Sequence, residues 1–326
     1  MFRAVNAIAP SSTLPTADYT NWELYRIRAD VTLMIGPNGT VPSLQAAWAY
    51  IQNATIDGGA YVHLLINDEV DTTYEETYSQ PFLLNHADGE HISIGVADAT
   101  TANSILFNFT DNGAGFALTG GHTFGGIYGT SDVPIQIQGT YETKKTIKPP
   151  APPATLYGIQ VIEGSCMAGM SYVEILNCRE GLEAGSNATI YGDHLSFAHT
   201  LDCVEAVYGG YASLTNLTIN QSSPGNGLEA IGGVITAVGA TISDQLNGVY
   251  ARDQGFIDVS GATITSNFVG ILSSENSHVK AEGATIATSF IKDVEVYDLS
   301  VVDAIGATYT TWTVGASSTL MTADTQ

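Results

Sequence analysis

Basic side chains are scarce in this sequence: 10 lysines and arginines stand against 33 aspartates and glutamates, a net charge of −23. So acidic a surface is repelled by nucleic acid and by anionic membranes, which argues against both as partners. Divalent cations and neutral glycans fit such a surface better. Cysteine is nearly absent. Cys166, Cys178 and Cys203 cannot all pair, and their spacing matches no zinc pattern, so reduced, buried thiols with a structural role are expected. No apolar run approaches the roughly 18 residues of a membrane span, so membrane insertion is not expected. The N-terminus, Met1-Phe-Arg-Ala-Val-Asn-Ala-Ile-Ala-Pro10, lacks a signal-peptide core. Synthesis in a cytoplasm and release without Sec export is the corresponding expectation.

What the chain does have is a repeat. Between residues 158 and 312 an aliphatic residue recurs about every 22 positions, at Ile159, Leu182, Val204, Leu228, Val249, Ile271 and Val294. A second ladder runs through Ile175, Phe197, Ile219, Ile242, Ile264, Ile286 and Tyr309. Three turns are spelled almost identically: Gly239-Ala-Thr-Ile242, Gly261-Ala-Thr-Ile264 and Gly283-Ala-Thr-Ile286. Repeats of 20 to 30 residues mark solenoids, whose units bury their apolar faces only by stacking. Within each repeat, short β-branched runs are broken by Gly and no helical stripe appears, which is strand chemistry. The expected fold is all-β, a parallel β-helix in which like positions stack roughly 4.8 Å apart.

The rest of the chain divides around that block. Residues 1–29 hold Arg3, Arg26 and Arg28, a Pro/Ser/Thr stretch and the aromatic cluster Tyr19, Trp22 and Tyr25. They read as an anchor docked on partner chains, or else as a tail folded back on its own domain. Residues 30–142 read as a strand, a turn and a helix, then early, wider coils. Leu44, Ala47, Trp48 and Ile51 form an i, i+3, i+4, i+7 face, and Pro42 suits a first helical turn. Such a helix would cover the open end of a solenoid. Residues 143–157, rich in Lys and Pro, read as a stiff exposed excursion. Residues 313–326 form a small polar tail.

The run Val31-Thr-Leu-Met-Ile-Gly-Pro-Asn-Gly-Thr40, followed by Ser43-Leu-Gln-Ala-Ala-Trp-Ala-Tyr-Ile51 and Val62-His-Leu-Leu-Ile66, resembles the opening of pectate-lyase-like β-helix proteins of bacteriophage tails. The resemblance implies a right-handed parallel β-helix in a tail fibre or tailspike located in the virion and assembled in the host cytoplasm. It also implies a homotrimer whose N-terminus docks on tail or baseplate proteins and whose β-helix meets a host surface polysaccharide. The anchor residues would then be Tyr19, Trp22, Tyr25, Arg26 and Arg28.

One constellation could carry chemistry. Gly181-Leu-Glu-Ala, Cys203-Val-Glu-Ala and Gly227-Leu-Glu-Ala set Glu183, Glu205 and Glu229 at one position of three successive coils. With the preceding aliphatic residue inward, each glutamate points outward. Carboxylates in a column about 5 Å apart repel, so a raised pKa or a recruited divalent cation is expected. The alternative is a solvated acidic stripe. The spacing also suits a retaining glycosidase, whose carboxyls lie roughly 5 to 5.5 Å apart. Asp193-His194, Asp244 and Arg252-Asp253 are further turn candidates that suit structural roles. Against a lyase, the coils hold only Arg179, Arg252, Lys280 and Lys292, and the Asn-Thr-Asp, Asp-Asp and Arg-Ile-Lys motifs of a polygalacturonase are missing. The leading expectation is a structural, adhesive virion fibre with no cofactor. A polysaccharide depolymerase using the glutamate column is the rival, and a bacterial surface adhesin the third reading.

Overall fold

The computed structural model describes residues 26–322, apart from 38, 69–72, 99, 111–112, 141–156 and 221–224. Tyr19, Trp22, Tyr25 and nearly all of the Lys/Pro-rich excursion therefore lie outside the described residues.

Inward aliphatic positions spaced by one coil stack as the repeat requires. Among the described residues two long parallel sheets, of 21 and 10 strands, result. The smaller sheet carries the first ladder in register: Ile159 on Leu182, Leu182 on Val204, Val204 on Leu228, Leu228 on Val249, Val249 on Ile271 and Ile271 on Val294. The larger sheet bends over a corner to make two more faces, because Met170–Leu176 and Thr189–Ala198 continue through the bend and pair on both sides of it. The isoleucine ladder runs down one of these faces, with Ile219 on Ile242, Ile264 and then Ile286. The chain is thus a parallel β-helix, and the stacking continues through Trp312–Val314 and Thr319–Met321.

Early coils are wider, since Leu64 pairs with Ile94 and Phe82 with Phe116. A longer circumference leaves more interior, and aromatic rings fill it. Phe107, Phe109 and Phe116 are fully buried and meet edge to face at 5.3–5.4 Å. In the narrow coils the same space is filled by Ile, Val and Ala. Gly239, Gly261, Gly283 and Gly306 turn successive coils in the left-handed region, at φ 72°, 69°, 65° and 70°. That requirement explains the repeated Gly-Ala-Thr-Ile spelling.

The helix Leu44–Ile51 buries the face read from the sequence, Leu44, Ala47, Trp48 and Ile51. It begins later than Pro42 because extended Ser43 is its N-cap, accepting the Ala46 N–H at 3.1 Å. Glu76 reaches over from a neighbouring strand and accepts the Leu44 N–H at 2.7 Å, a favourable place for negative charge. Trp48 packs edge-on against Phe82 at 5.6 Å. Among the described residues, no helix is long and apolar enough to cross a membrane. Among the described residues no disulfide forms, and Cys178 and Cys203 are buried while Cys166 is half-buried.

Because Ile264 is fully buried between Ile242 and Ile286, Ile264→Ala removes stacking contacts on both sides. Urea denaturation should show a loss of about 3–4 kcal/mol. A loss under 1 kcal/mol would mean that the ladder is not close-packed.

Candidate functional site

Four strands of the smaller sheet, Glu180–Gly185, Asp202–Val207, Asn226–Ile231 and Asn247–Arg252, start with an acid or amide, pass through a glycine or cysteine, and then alternate. This sequence places Glu183 on Glu205 and Glu205 on Glu229 in direct parallel register. Gln160 precedes them and Tyr250 follows. The column is not a solvated stripe. Glu183 and Glu229 are only 8% and 5% exposed, although their register positions face outward. Each is stabilised by a fixed donor. Gln160 Nε2 donates to Glu183 at 2.6 Å, Asn226 Nδ2 donates to Glu229 at 2.7 Å, and Arg252 Nε pairs with Glu229 at 2.9 Å. No side-chain hydrogen bond or ion pair of this kind is seen for Glu205 among the described residues.

A second set of groups completes the cluster. Glu180 and Asp202 sit at the starts of their strands and pair with one another in register. Asp202 accepts the Asn226 N–H at 2.8 Å, and Asn247 Nδ2 donates to Asn226 at 2.8 Å. Tyr157 precedes Glu180 by one coil and hydrogen-bonds to it. Arg179 lies 3.7 Å from Glu180. Among the described residues, five carboxyl groups and two guanidinium groups thus share this patch.

Electrostatics follow from that imbalance. Burial, reinforced by the charges of Glu180, Glu229 and Glu183, pushes Glu205 up to about 8. Burial likewise pushes Glu180 up to about 7 against the opposing pull of Arg179, and Asp202 up to about 6. Burial raises Glu183 too, with the Gln160 hydrogen bond opposing. Although burial acts the other way on Arg252, its bond to Glu229 holds it above its ordinary value. Raised to about 8, Glu205 favours its protonated form at neutral pH, which suits a proton donor.

The other candidates separate from this patch. Asp244 and Asp253 occupy left-handed turns at φ 61° and 51°, a structural role that short polar residues tolerate. Asp193 and His194 form a pair on a different face. Arg26 and Arg28 both pair with Asp57 at 3.3 Å, and Arg26–Ile27 adds a strand to Thr55–Ile56 with Ile27 in the core. Glu180, Asp202 and Tyr157 were missed as site residues. Their signal was the position before each coil start, which reads Glu180, Asp202, Asn226 and Asn247. Among the described residues no three His, Cys, Asp or Glu side chains are disposed to hold a metal ion.

No protein-family model matches the sequence, and no curated protein matches it. Among solved structures the fold is similar to that of pectate lyase Pel9A, with a TM-score of 0.52 and 13% identity over 91% of this chain and 79% of that one. The A-module of mannuronan C-5 epimerase AlgE6 from Azotobacter vinelandii aligns over 81% of each chain at 14% identity, with a TM-score of 0.34. At such identities the likeness is one of architecture. What the chain shares with Pel9A is the parallel β-helix fold.

Proposed function

We propose that the protein engages a polysaccharide along its β-helix and cleaves glycosidic bonds at the carboxylate column. The observation that supports this reading is the register that sets Glu205, which lacks a fixed donor of its own among the described residues, one strand spacing, roughly 4.8 Å, from the better-anchored Glu183 and Glu229. In this reading Glu205 donates its proton to the leaving glycosidic oxygen as the C–O bond breaks. Glu229, oriented by Arg252 and Asn226, is the carboxylate that meets the positive charge developing at the anomeric carbon. A separation near 5 Å favours a glycosyl ester between that carbon and the carboxylate. Water then resolves the ester, giving its proton back to Glu205, with net retention. An elimination is less well served, because a carboxyl held protonated to about pH 8 is a poor base at neutrality.

The test is incubation of the purified protein with neutral polysaccharides and polyuronates, followed by product analysis. New reducing ends with retained anomeric configuration are expected. Unsaturated ends, or no cleavage of any substrate, would defeat the proposal.

A second reading is favoured by one specific observation. Leu246, Phe268, Phe290 and Ile291, 41%, 45%, 77% and 49% exposed, follow one another down a single corner of the late coils. A row of exposed apolar side chains on so acidic a protein suits contact with further copies of the chain. This reading is a homotrimeric tail fibre or tailspike, docked on the virion through its N-terminus and attaching to a host glycan without cutting it. Sedimentation analysis of the wild type and Phe290→Asp checks it. A trimer that dissociates in the variant supports the fibre, and a monomeric wild type removes it.

A further inference from the structure

The carboxylate face is one of three, and the isoleucine-ladder face has the opposite character. Its short strands Thr218–Asn220, Thr241–Ser243, Thr263–Thr265 and Thr285–Ala287 alternate around the buried Ile219, Ile242, Ile264 and Ile286. The outward positions are Thr218, Thr241, Thr263 and Thr285 in one column, and Asn220, Ser243, Thr265 and Ala287 in the other. None is charged, on a chain of net charge −23. The four threonines of the first column are exposed, and Thr308 extends it by a bridge to Thr285. Among the described residues, no side-chain hydrogen bond within the chain engages these four hydroxyls. They form a regular row of free donors and acceptors, one per coil.

A cleft of about 230 Å³ heads this column, at the corner where the loop around Thr130 overhangs the next coils. Tyr172, His194 and Asn216 follow one another there, all in the left-handed region at φ 49°, 51° and 49°. Bulky side chains rarely adopt that conformation. Its consequence is that the rings of Tyr172 and His194 stack along the corner, 4.5 Å apart and 22° from parallel. Asp193 fixes the imidazole by accepting from Nδ1 at 2.8 Å, and is itself fixed by Thr215 at 2.6 Å and Asn216 Nδ2 at 2.8 Å. His194 remains 41% exposed at its side chain. Glu174, held by Gln136 Nε2 at 2.7 Å, and Ser196 complete the polar side of the cleft, above Thr218.

The geometry points to a second binding surface, a track for a neutral polysaccharide chain that starts on the Tyr172/His194 ring pair and runs down the threonine column. A pyranose offers C–H groups to an aromatic face and hydroxyls at its rim, which matches rings at the head and free hydroxyls along the track. The threonine column is uncharged and its head carries the carboxylates Glu174 and Asp193, so uronates and sulfated glycans are selected against. Those would gain no cation here and would meet the repulsion of the whole molecule. For the class of ligand the inference rests on the polysaccharide reading above, but it concerns a different face and carries no chemistry. Its role is to hold chain and protein together.

Binding of neutral hexaoses of glucose, mannose and galactose, and of a uronate hexamer, is measured by calorimetry. Wild type, Glu205→Gln, Tyr172→Asn, His194→Asn and Thr241→Asp are compared. Asparagine suits the two corner positions because Asn216 already occupies the equivalent left-handed site. Matching melting curves verify that each variant is folded. At least one neutral hexaose should bind to wild type and Glu205→Gln alike, at least tenfold more tightly than the uronate. Tyr172→Asn, His194→Asn and Thr241→Asp should each weaken that binding about tenfold. No binding of any neutral hexaose, or undiminished affinity in Tyr172→Asn or Thr241→Asp, overturns the inference. Binding as described, with no cleavage of any substrate by the wild type, would instead count against the carboxylate column alone.

Discussion

Glu205→Gln is expected to lower polysaccharide cleavage by about 10²–10⁴-fold, the usual contribution of a general acid, while making the protein more stable at pH 8. The two effects share one cause. The Glu205 carboxyl has a folded-state pKa of about 8, against an ordinary value of 4.5. Below about pH 4.5 it is protonated in folded and unfolded chains alike, and its stabilising contribution is complete. Between these values the folded chain binds the extra proton, so stability falls as pH rises and is lost through pH 8. Glu180, raised to about 7, and Asp202, raised to about 6, act in the same direction. Asp293 acts oppositely. Although burial works against it, the N–H groups of Thr310 and Thr311 hold it below its ordinary value. Its contribution is present at higher pH and lost in acid. The melting temperature should therefore peak in mildly acidic buffer and decline toward pH 9. Glutamine cannot ionise, so the variant should gain on the order of 2 kcal/mol at pH 8 and show a flatter alkaline limb. Cleavage by the wild type should fall with an apparent pKa near 8. Melting curves of both proteins that superpose from pH 5 to 9 would show Glu205 to be an ordinary ionised carboxylate, and the proton-donor role would go with it.

Much of this architecture was legible because a β-helix writes its contacts into sequence periodicity. The inward ladders at Ile159 to Val294 and Ile219 to Ile286 could be paired from spacing alone, and the register confirms each step. The same periodicity placed Glu183, Glu205 and Glu229 in one column. It could not reveal their burial, because outward describes a side chain's direction and not what lies beside it. Glu180, Asp202 and Tyr157 crowd the column from a neighbouring position, where strand alternation is interrupted at Gly158 and Gly181 and a simple period of two misassigns the side. The Tyr172/His194 stack was hidden for a related reason. It depends on left-handed backbone at two bulky residues, for which composition offers no signal. The early coils were read less sharply because their variable length leaves no period to exploit.

Gly248→Ala should be strongly destabilising, costing about 3 kcal/mol. Gly158, Gly181, Gly227, Gly248 and Gly270 recur at the coil starts, and the reason is closeness of approach. A Cβ at Gly248 would lie 2.7 Å from the Gly270 carbonyl oxygen, 2.8 Å from Asn267 Nδ2 and 2.8 Å from an Ile264 methyl. The isoleucine could rotate away at some cost. The carbonyl oxygen belongs to the next coil's backbone and can retreat only if the strand spacing opens. Asn267, fully buried, is fixed by accepting the Gln245 N–H at 3.0 Å, so it cannot yield without leaving that donor unsatisfied. Gly261→Ala is the matched control. That site is left-handed at φ 69° with open space around the added methyl, so only the conformational penalty of about 1–2 kcal/mol applies. Denaturant midpoints of the two variants should separate accordingly. The strain at Gly248 acts on two coils at once, so hydrogen exchange should quicken on both sides of it and not at the helix Leu44–Ile51. Equal midpoints would mean that the coils can part at little cost, and that the glycine column reflects turn preference instead of close packing.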